Sequence, residues 1–164
     1  MGLDMYLEAR KNIQKIDWSK VKEAGDMYNG VATTPEYISL VESAGLSHVV
    51  NSDVHGVTVS VHVAYWRKAN QIHSWFVENV QNGEDDCKEY FVSNEQLQNL
   101  LEICKDSYAR KDPGVLTPKS GFFFGSTDID EWYWESIKNT IEQLERIVAL
   151  PEFDDLSFYY QSSW

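Results

Sequence analysis

Val57-Thr58-Val59-Ser60-Val61-His62-Val63-Ala64-Tyr65 runs straight into Trp66-Arg67-Lys68-Ala69-Asn70-Gln71-Ile72-His73-Ser74-Trp75-Phe76-Val77, and the change of period between the two stretches decides the fold. In the first, Val57, Val59, Val61, Val63 and Tyr65 alternate with Thr58, Ser60, His62 and Ala64, the two-residue period of a strand built from β-branched side chains. In the second, Trp66, Ala69, Ile72, His73, Phe76, Val77 and Val80 fall within one arc at about 100° per residue, and Gly83 can supply a left-handed stop. This predicts a helix from about Arg67 to Asn82, with Lys68, Gln71 and Trp75 on its opposite arc. A strand that turns directly into a helix, in a chain without internal repeats, fits an α+β fold.

The flanking sequence extends that reading. Leu3, Met5 and Leu7 alternate with Asp4, Tyr6 and Glu8, which predicts a half-buried strand at Leu3–Glu8. Thr33-Thr34-Pro35-Glu36 places a cap, an N1 proline and an acid before a helix that ends near Gly45. A short helix is expected at Ser19–Ala24, and residues 12–56 are otherwise the least regular part of the chain, the place for an insertion or lid. Cys87–Val92 reads as a further strand. Ser93-Asn94-Glu95-Gln96 is a capping box, opening a helix that buries Leu97, Leu100, Leu101, Cys104 and Tyr108 and stops before Pro113-Gly114.

Phe122-Phe123-Phe124 between two glycines reads as a short buried strand. Asp128, with Glu131 three residues on, opens a last helix that turns Tyr133, Ile137, Ile141, Leu144 and Val148 inward and ends before Pro151. The tail Leu156–Trp164 is rich in β-formers and is expected to pair with the first strand or the Val57 strand. The expectation is one α+β domain over residues 1–164: a mainly antiparallel sheet of about four or five short strands, three or four covering helices, and chain ends close together in the sheet.

Charge narrows the function. Fourteen basic residues against 26 acidic give a net charge of −12, which works against unaided binding to nucleic acid or to an anionic membrane. No run of about 18 apolar residues is present, and the opening residues lack a signal-peptide pattern, so a cytoplasmic protein is expected. Gly2 fits N-myristoylation poorly because Tyr6 stands where the pattern takes Ser or Thr. Cys87 and Cys104 form no close Cys or His pairing that reads as a zinc clip or redox pair. His48, His55, His62 and His73 lack the spacing of a helical metal pair. Neither metal nor cofactor is expected.

Two groups of residues carry candidate binding chemistry. At the strand–helix joint, Arg67 and Lys68 can pair with phosphate, Trp66 and Trp75 can stack on a base, and Asn70 and Gln71 can read polar edges. That is the composition of a nucleotide pocket. Helical phase speaks against it, since Arg67, Lys68 and Gln71 lie away from the arc of Trp66 and His73; the alternative is that Trp66 packs, Arg67 and Lys68 pair with surface carboxylates, and Trp75 is covered by a loop. The second group is the acidic exposed side of the last helix, Glu131, Glu135, Glu142 and Glu145, with Asp154 and Asp155 beyond it. Such carboxylates can imitate a nucleic-acid backbone and occupy a basic groove, although Lys138 and Arg146 interrupt them.

Gly125-Ser126-Thr127 is a third candidate, an anion site before the last helix, but Asp128, Asp130 and Glu131 already occupy that end. A nucleophile and base at Cys87 and His73 would need the fold to join them, and His73 lies on the core-facing arc of its helix.

The chain resembles a group of small, largely uncharacterised proteins encoded by bacteriophages and bacterial mobile elements. The resemblance rests on Gly2-Leu3-Asp4-Met5-Tyr6-Leu7, Tyr65-Trp66-Arg67-Lys68-Ala69-Asn70 with His73, Trp75 and Phe76, Asp85-Asp86-Cys87, Gly121-Phe122-Phe123-Phe124-Gly125-Ser126-Thr127, and Tyr159-Tyr160-Gln161-Ser162-Ser163-Trp164. It implies a mobile-element setting in a host bacterial cytoplasm and no particular chemistry. Three functions follow. The first is an accessory protein that inhibits a host defence factor, such as a nuclease, through its acidic surface. The second is a binder of a nucleotide signal at Trp66–Trp75, and the third an enzyme using His73 and Cys87.

Overall fold

A computed structural model describes residues 2–18, 33–50 and 54–164; the helix expected at Ser19–Ala24 lies outside them. The elements are β1 (Asp4–Gln14), α1 (Pro35–Ser43), β2 (Gly56–Arg67), α2 (Asn70–Asn79), β3 (Tyr90–Val92), α3 (Asn94–Arg110), α4 (Glu131–Val148), a 3-10 turn (Phe153–Asp155) and β4 (Ser157–Ser163). The fold is α+β, with one four-stranded sheet in the order β2-β1-β4-β3. β4 runs antiparallel between β1 and β3, pairing Leu7 with Tyr160 and Val92 with Phe158. The two ends of the chain therefore meet in neighbouring strands, the first of the two pairings expected for the β-forming tail.

The chain divides into two compact units, residues 1–10 with 61–164, and residues 11–60. The second matches the irregular stretch of the sequence. It contains the distal ends of β1 and β2, where Lys15 N–H donates to His55 O (2.8 Å), and α1, which buries Tyr37 and Val41. Thr34, the residue before the N1 proline of α1, anchors this helix by donating its hydroxyl to Gln14 O (2.6 Å) and its N–H to Lys15 O (2.9 Å).

In the larger unit, Leu3, Met5 and Leu7 point into the core with Ala64, Trp66, Val92, Phe158 and Tyr160. The opposite face of the sheet stays open, with Tyr6 against His62 and Tyr65, and the Arg10 guanidinium 4.1 Å above the Tyr159 ring. The strict alternation expected along β2 breaks at Val63–Ala64: both touch the core, and beyond them Ala64 and Trp66 face inward while Tyr65 and Arg67 face out.

α2 is shorter than expected. It begins at Asn70 rather than Arg67 because β2 runs through Arg67 and Lys68 takes a left-handed turn (φ 57°). Every residue from Asn70 to Val77 is buried, so the outward arc expected for Gln71 and Trp75 does not exist. Neighbours enclose the helix on several sides: Gln71 reaches Ser136 of α4, Gln96 of α3 donates to Asn79 O, and Asn70 bonds the segment before α4.

α3 follows the sequence closely. Ser93 and Gln96 form the reciprocal capping box, and Lys111 closes the helix in the left-handed conformation. α4 is capped by Asp130, whose carboxylate accepts from Tyr133 N–H (3.0 Å), not by Asp128. Thr140, Gln143 and Ile147 join Tyr133, Ile137 and Leu144 on its buried face, and Ile141 and Val148 are half-buried. Cys87–Val92 is a strand only over its last three residues.

The Phe122–Phe124 strand does not form. Phe122 is 94 % exposed and Phe124 alone of the three is buried, because this stretch is a turn in which Phe124 N–H returns to Gly121 O (3.2 Å).

Candidate functional site

The β2–α2 joint and the first half of α4 enclose a cleft of about 580 Å³. One wall is Arg67, Lys68 and Gln71, and the floor is the Gly125–Asp130 segment. The other wall is the α4 face carrying Trp132, Glu135, Ser136, Asn139 and Glu142. The volume falls in the range of ligand pockets, roughly 300–1,000 Å³.

Polar side chains of α4 dock it onto the joint. Thr140 Oγ1 accepts from Trp66 Nε1 (2.9 Å) and donates to Ser136 O (2.8 Å). Ser136 Oγ accepts from the Gln71 amide and donates to Tyr133 O (2.8 Å). Gln143 Oε1 accepts from Tyr65 N–H (2.8 Å), which satisfies an amide on the outer edge of β2 that would otherwise be left unpaired.

Asn70 fixes the floor. Its buried amide donates to Phe124 O (3.1 Å) and Ser126 O (2.8 Å), and its carbonyl accepts from Lys119 N–H (3.1 Å). Three bonds from one buried side chain hold an irregular segment that has no secondary structure of its own. Leu116 and Phe124 anchor the same segment in the core, and Tyr133 Oη donates to Leu116 O (2.7 Å).

The structure therefore divides the six residues of the expected nucleotide site. Trp66 is 1 % exposed and Trp75 4 % exposed; both are core, and neither can stack on a ligand. Asn70 is spent on the floor. Arg67, Lys68 and Gln71 do line one cleft, although helical phase separates them from the aromatics, because Arg67 and Lys68 precede α2 and follow strand and turn geometry. The aromatic of the cleft is Trp132, 81 % exposed on the opposite wall. Sequence reasoning missed it; its signal was a tryptophan two residues after an N-cap, on the side of α4 away from Tyr133 and Ile137.

The pairing expected for Arg67 and Lys68 is also absent. Among the described residues neither cation lies in an ion pair, whereas the acidic residues of the cleft have local partners. Asp130 caps α4, Asp128 accepts from the Ser126 hydroxyl (2.9 Å), and Glu135 and Glu142 flank Lys138 at 3.9 and 3.8 Å. Of the other acidic candidates, Glu145 pairs with Lys105 (2.7 Å) and Asp154 accepts from the Asn94 amide (3.2 Å). Glu131 and Asp155 are exposed. The acidic array is thus dispersed, and only Glu135 and Glu142 belong to the cleft.

His73 is fully buried, as its phase predicts. Its Nε2 lies 3.0 Å from Asp85 Oδ2 and its Nδ1 2.8 Å from Tyr160 Oη. A neutral imidazole has one donor, so Nε2–H faces the carboxylate and Nδ1 accepts from the phenol. Asp85 also accepts from the Trp164 indole (3.1 Å). Burial lowers the His73 pKa, partly opposed by the hydrogen bond to Asp85, and raises that of Tyr160 well above its ordinary value. With both ring nitrogens occupied, His73 has no site left to activate Cys87 as a nucleophile. The Cys104 thiol is buried and pushed up to about 12, which makes it inert. Among the described residues no three His, Cys, Asp or Glu side chains gather as a metal site, and no helix is long and apolar enough to cross a membrane.

No protein-family model matches the chain, and neither does any curated protein or solved structure.

Proposed function

We propose that the protein acts by binding another protein, and that the contact is the α4 rim of the cleft. The observation that carries this reading is Trp132, a large aromatic side chain 81 % exposed in a cleft that is also lined by the carboxylates of Asp128, Asp130, Glu135 and Glu142. Exposed Trp is the residue type most enriched in interface hot spots. Ile129, three residues earlier in the chain, is also exposed. The complement is a partner with an apolar pocket bordered by Lys or Arg. In a chain of net charge −12, the surrounding field steers such a partner in and rejects acidic ones. The resemblance to phage and mobile-element proteins makes a host defence factor with a basic groove the fitting partner, a nuclease above all, and binding there would inhibit it by blocking its nucleic-acid site.

The test is affinity capture from bacterial lysate with the wild-type chain and with the triple variant Trp132→Ala, Glu135→Lys, Glu142→Lys, followed by native mass spectrometry of what is retained. The expected result is one stoichiometric protein on the wild type, missing from the variant, with affinity that falls as salt rises. Identical retention by both chains would remove the rim from the interface.

A further inference from the structure

We infer that the cleft contains an anion subsite at Arg67 and Lys68, and that its ligand class is a nucleoside monophosphate: one compact phosphate joined to one flat ring. This goes beyond the protein-binding reading: it adds the opposite wall and shares Trp132 with that reading. The starting point is the pair of cations. Two adjacent basic side chains line a concave site and form no ion pair among the described residues, whereas Arg10, Lys88, Lys105, Arg110 and Lys138 each have a carboxylate partner. Acids are plentiful in the same cleft, so the lack of pairing follows from placement rather than supply.

The backbone is consistent with a site built to keep them so. Lys68 holds a left-handed conformation (φ 57°) that costs a non-glycine residue about 1 kcal/mol. Its aliphatic stem lies against Gly125, where a Cβ would come within 3.3 Å of Lys68 Cβ. The turn thus places two consecutive charges at the start of α2. That helix has no capping side chain and no acidic residue in its first turn, so its N-terminal partial charge adds to the field of the cations.

The rest of the cleft selects the ligand. Trp132 offers an exposed indole on which a planar ring can stack. Asn139, exposed on the same wall, has a side-chain amide that can read a polar edge. Asp128, Asp130, Glu135 and Glu142 border the opening, and they repel any charge that extends past the two cations. A single phosphate is neutralised by Arg67 and Lys68; the tail of a triphosphate would lie against carboxylates.

The experiment is isothermal titration calorimetry at low salt with AMP, GMP, CMP, UMP, ATP, adenosine and inorganic phosphate, on the wild type, on Arg67→Gln with Lys68→Asn, and on Trp132→Ala. Asn is chosen at 68 because it tolerates the left-handed region, and circular dichroism establishes that each variant is folded. The expected result is a Kd near or below 100 µM for at least one monophosphate, at least tenfold weaker binding of ATP and of inorganic phosphate, and no binding of adenosine. The cation variant should lose at least tenfold and Trp132→Ala a measurable part. The inference is overturned if no monophosphate binds at 1 mM, if ATP binds as tightly as AMP, or if the folded cation variant binds as well as the wild type. A partner protein lost in the rim variant, together with no monophosphate binding to the wild type, would overturn the inference and leave the protein-binding reading standing alone.

Discussion

Two aromatic-rich segments of this chain have opposite fates. Residues 65–76 bury Trp66, Trp75 and Phe76, while residues 121–132 leave Phe122 and Trp132 among the most exposed large side chains of the described residues. Composition does not separate them. The first segment is strand and helix on either side of the Lys68 turn, and neighbouring elements close over its side chains. The second is irregular up to Asp130, with its backbone held from outside by Asn70, and then enters α4, whose first turn carries Trp132 on the side away from the core. Enclosure by neighbouring elements puts aromatics in the core here, and a segment covered on one side only leaves Phe122 and Trp132 in solvent.

The sharpest way to break this contrast is Trp66→Ala, which removes a fully buried indole and its bond to Thr140. It should cost on the order of 4 kcal/mol, read as a large fall in the urea midpoint. Next comes Asn70→Ala. With three backbone groups left unpaired, it should cost about 2–3 kcal/mol, and hydrogen exchange should quicken at Lys119, which donates to the Asn70 carbonyl, while α3 keeps its protection.

A smaller effect is expected from acid. The His73 pKa is lowered on folding by burial, and Asp85 and Tyr160 face it at bonding distance while the more distant Lys119 disfavours its charge. The folded state therefore binds a proton less readily than the unfolded chain. The stability from this group is whole above the unfolded value, about 6.5, and is lost as pH falls below it. Urea midpoints at pH 7.5 and 5.5 should differ in that direction, and His73→Gln should shrink the difference. At the bottom of the scale, Trp132→Ala and Phe122→Ser should change stability by no more than ~0.5 kcal/mol. A larger loss from either would mean that the second segment is packed after all.

Much of the frame was legible. Period-two alternation located β1 and β2, the β-forming residues of the tail located β4, and the Ser93–Gln96 box located the start of α3. The joint was harder, because a helical wheel continued backward through Arg67 and Lys68 assumes a helix that has not begun. The same error placed Gln71 and Trp75 outside, since a wheel describes one helix and the burial of α2 is decided by what surrounds it. Phe122–Phe124 has the composition of a strand but makes a single bond toward β1, from Leu3 N–H to Phe123 O (3.1 Å), before Phe124 N–H turns back to Gly121 O. The cleft needed α4 set against the joint through Ser136, Thr140 and Gln143, three polar residues that no hydrophobic pattern singles out.

Asn70 has one more consequence. All three of its bonds to the floor segment go to main-chain atoms, of Lys119, Phe124 and Ser126, so the clamp grips the path of the chain and ignores most of the side chains along it. Substitutions at exposed positions such as Phe122, Thr127 or Ile129 leave those contacts untouched. The molecule thus carries an interchangeable faceplate, one whose lettering can be rewritten to suit a new target while the hinge pin and the frame stay as they are.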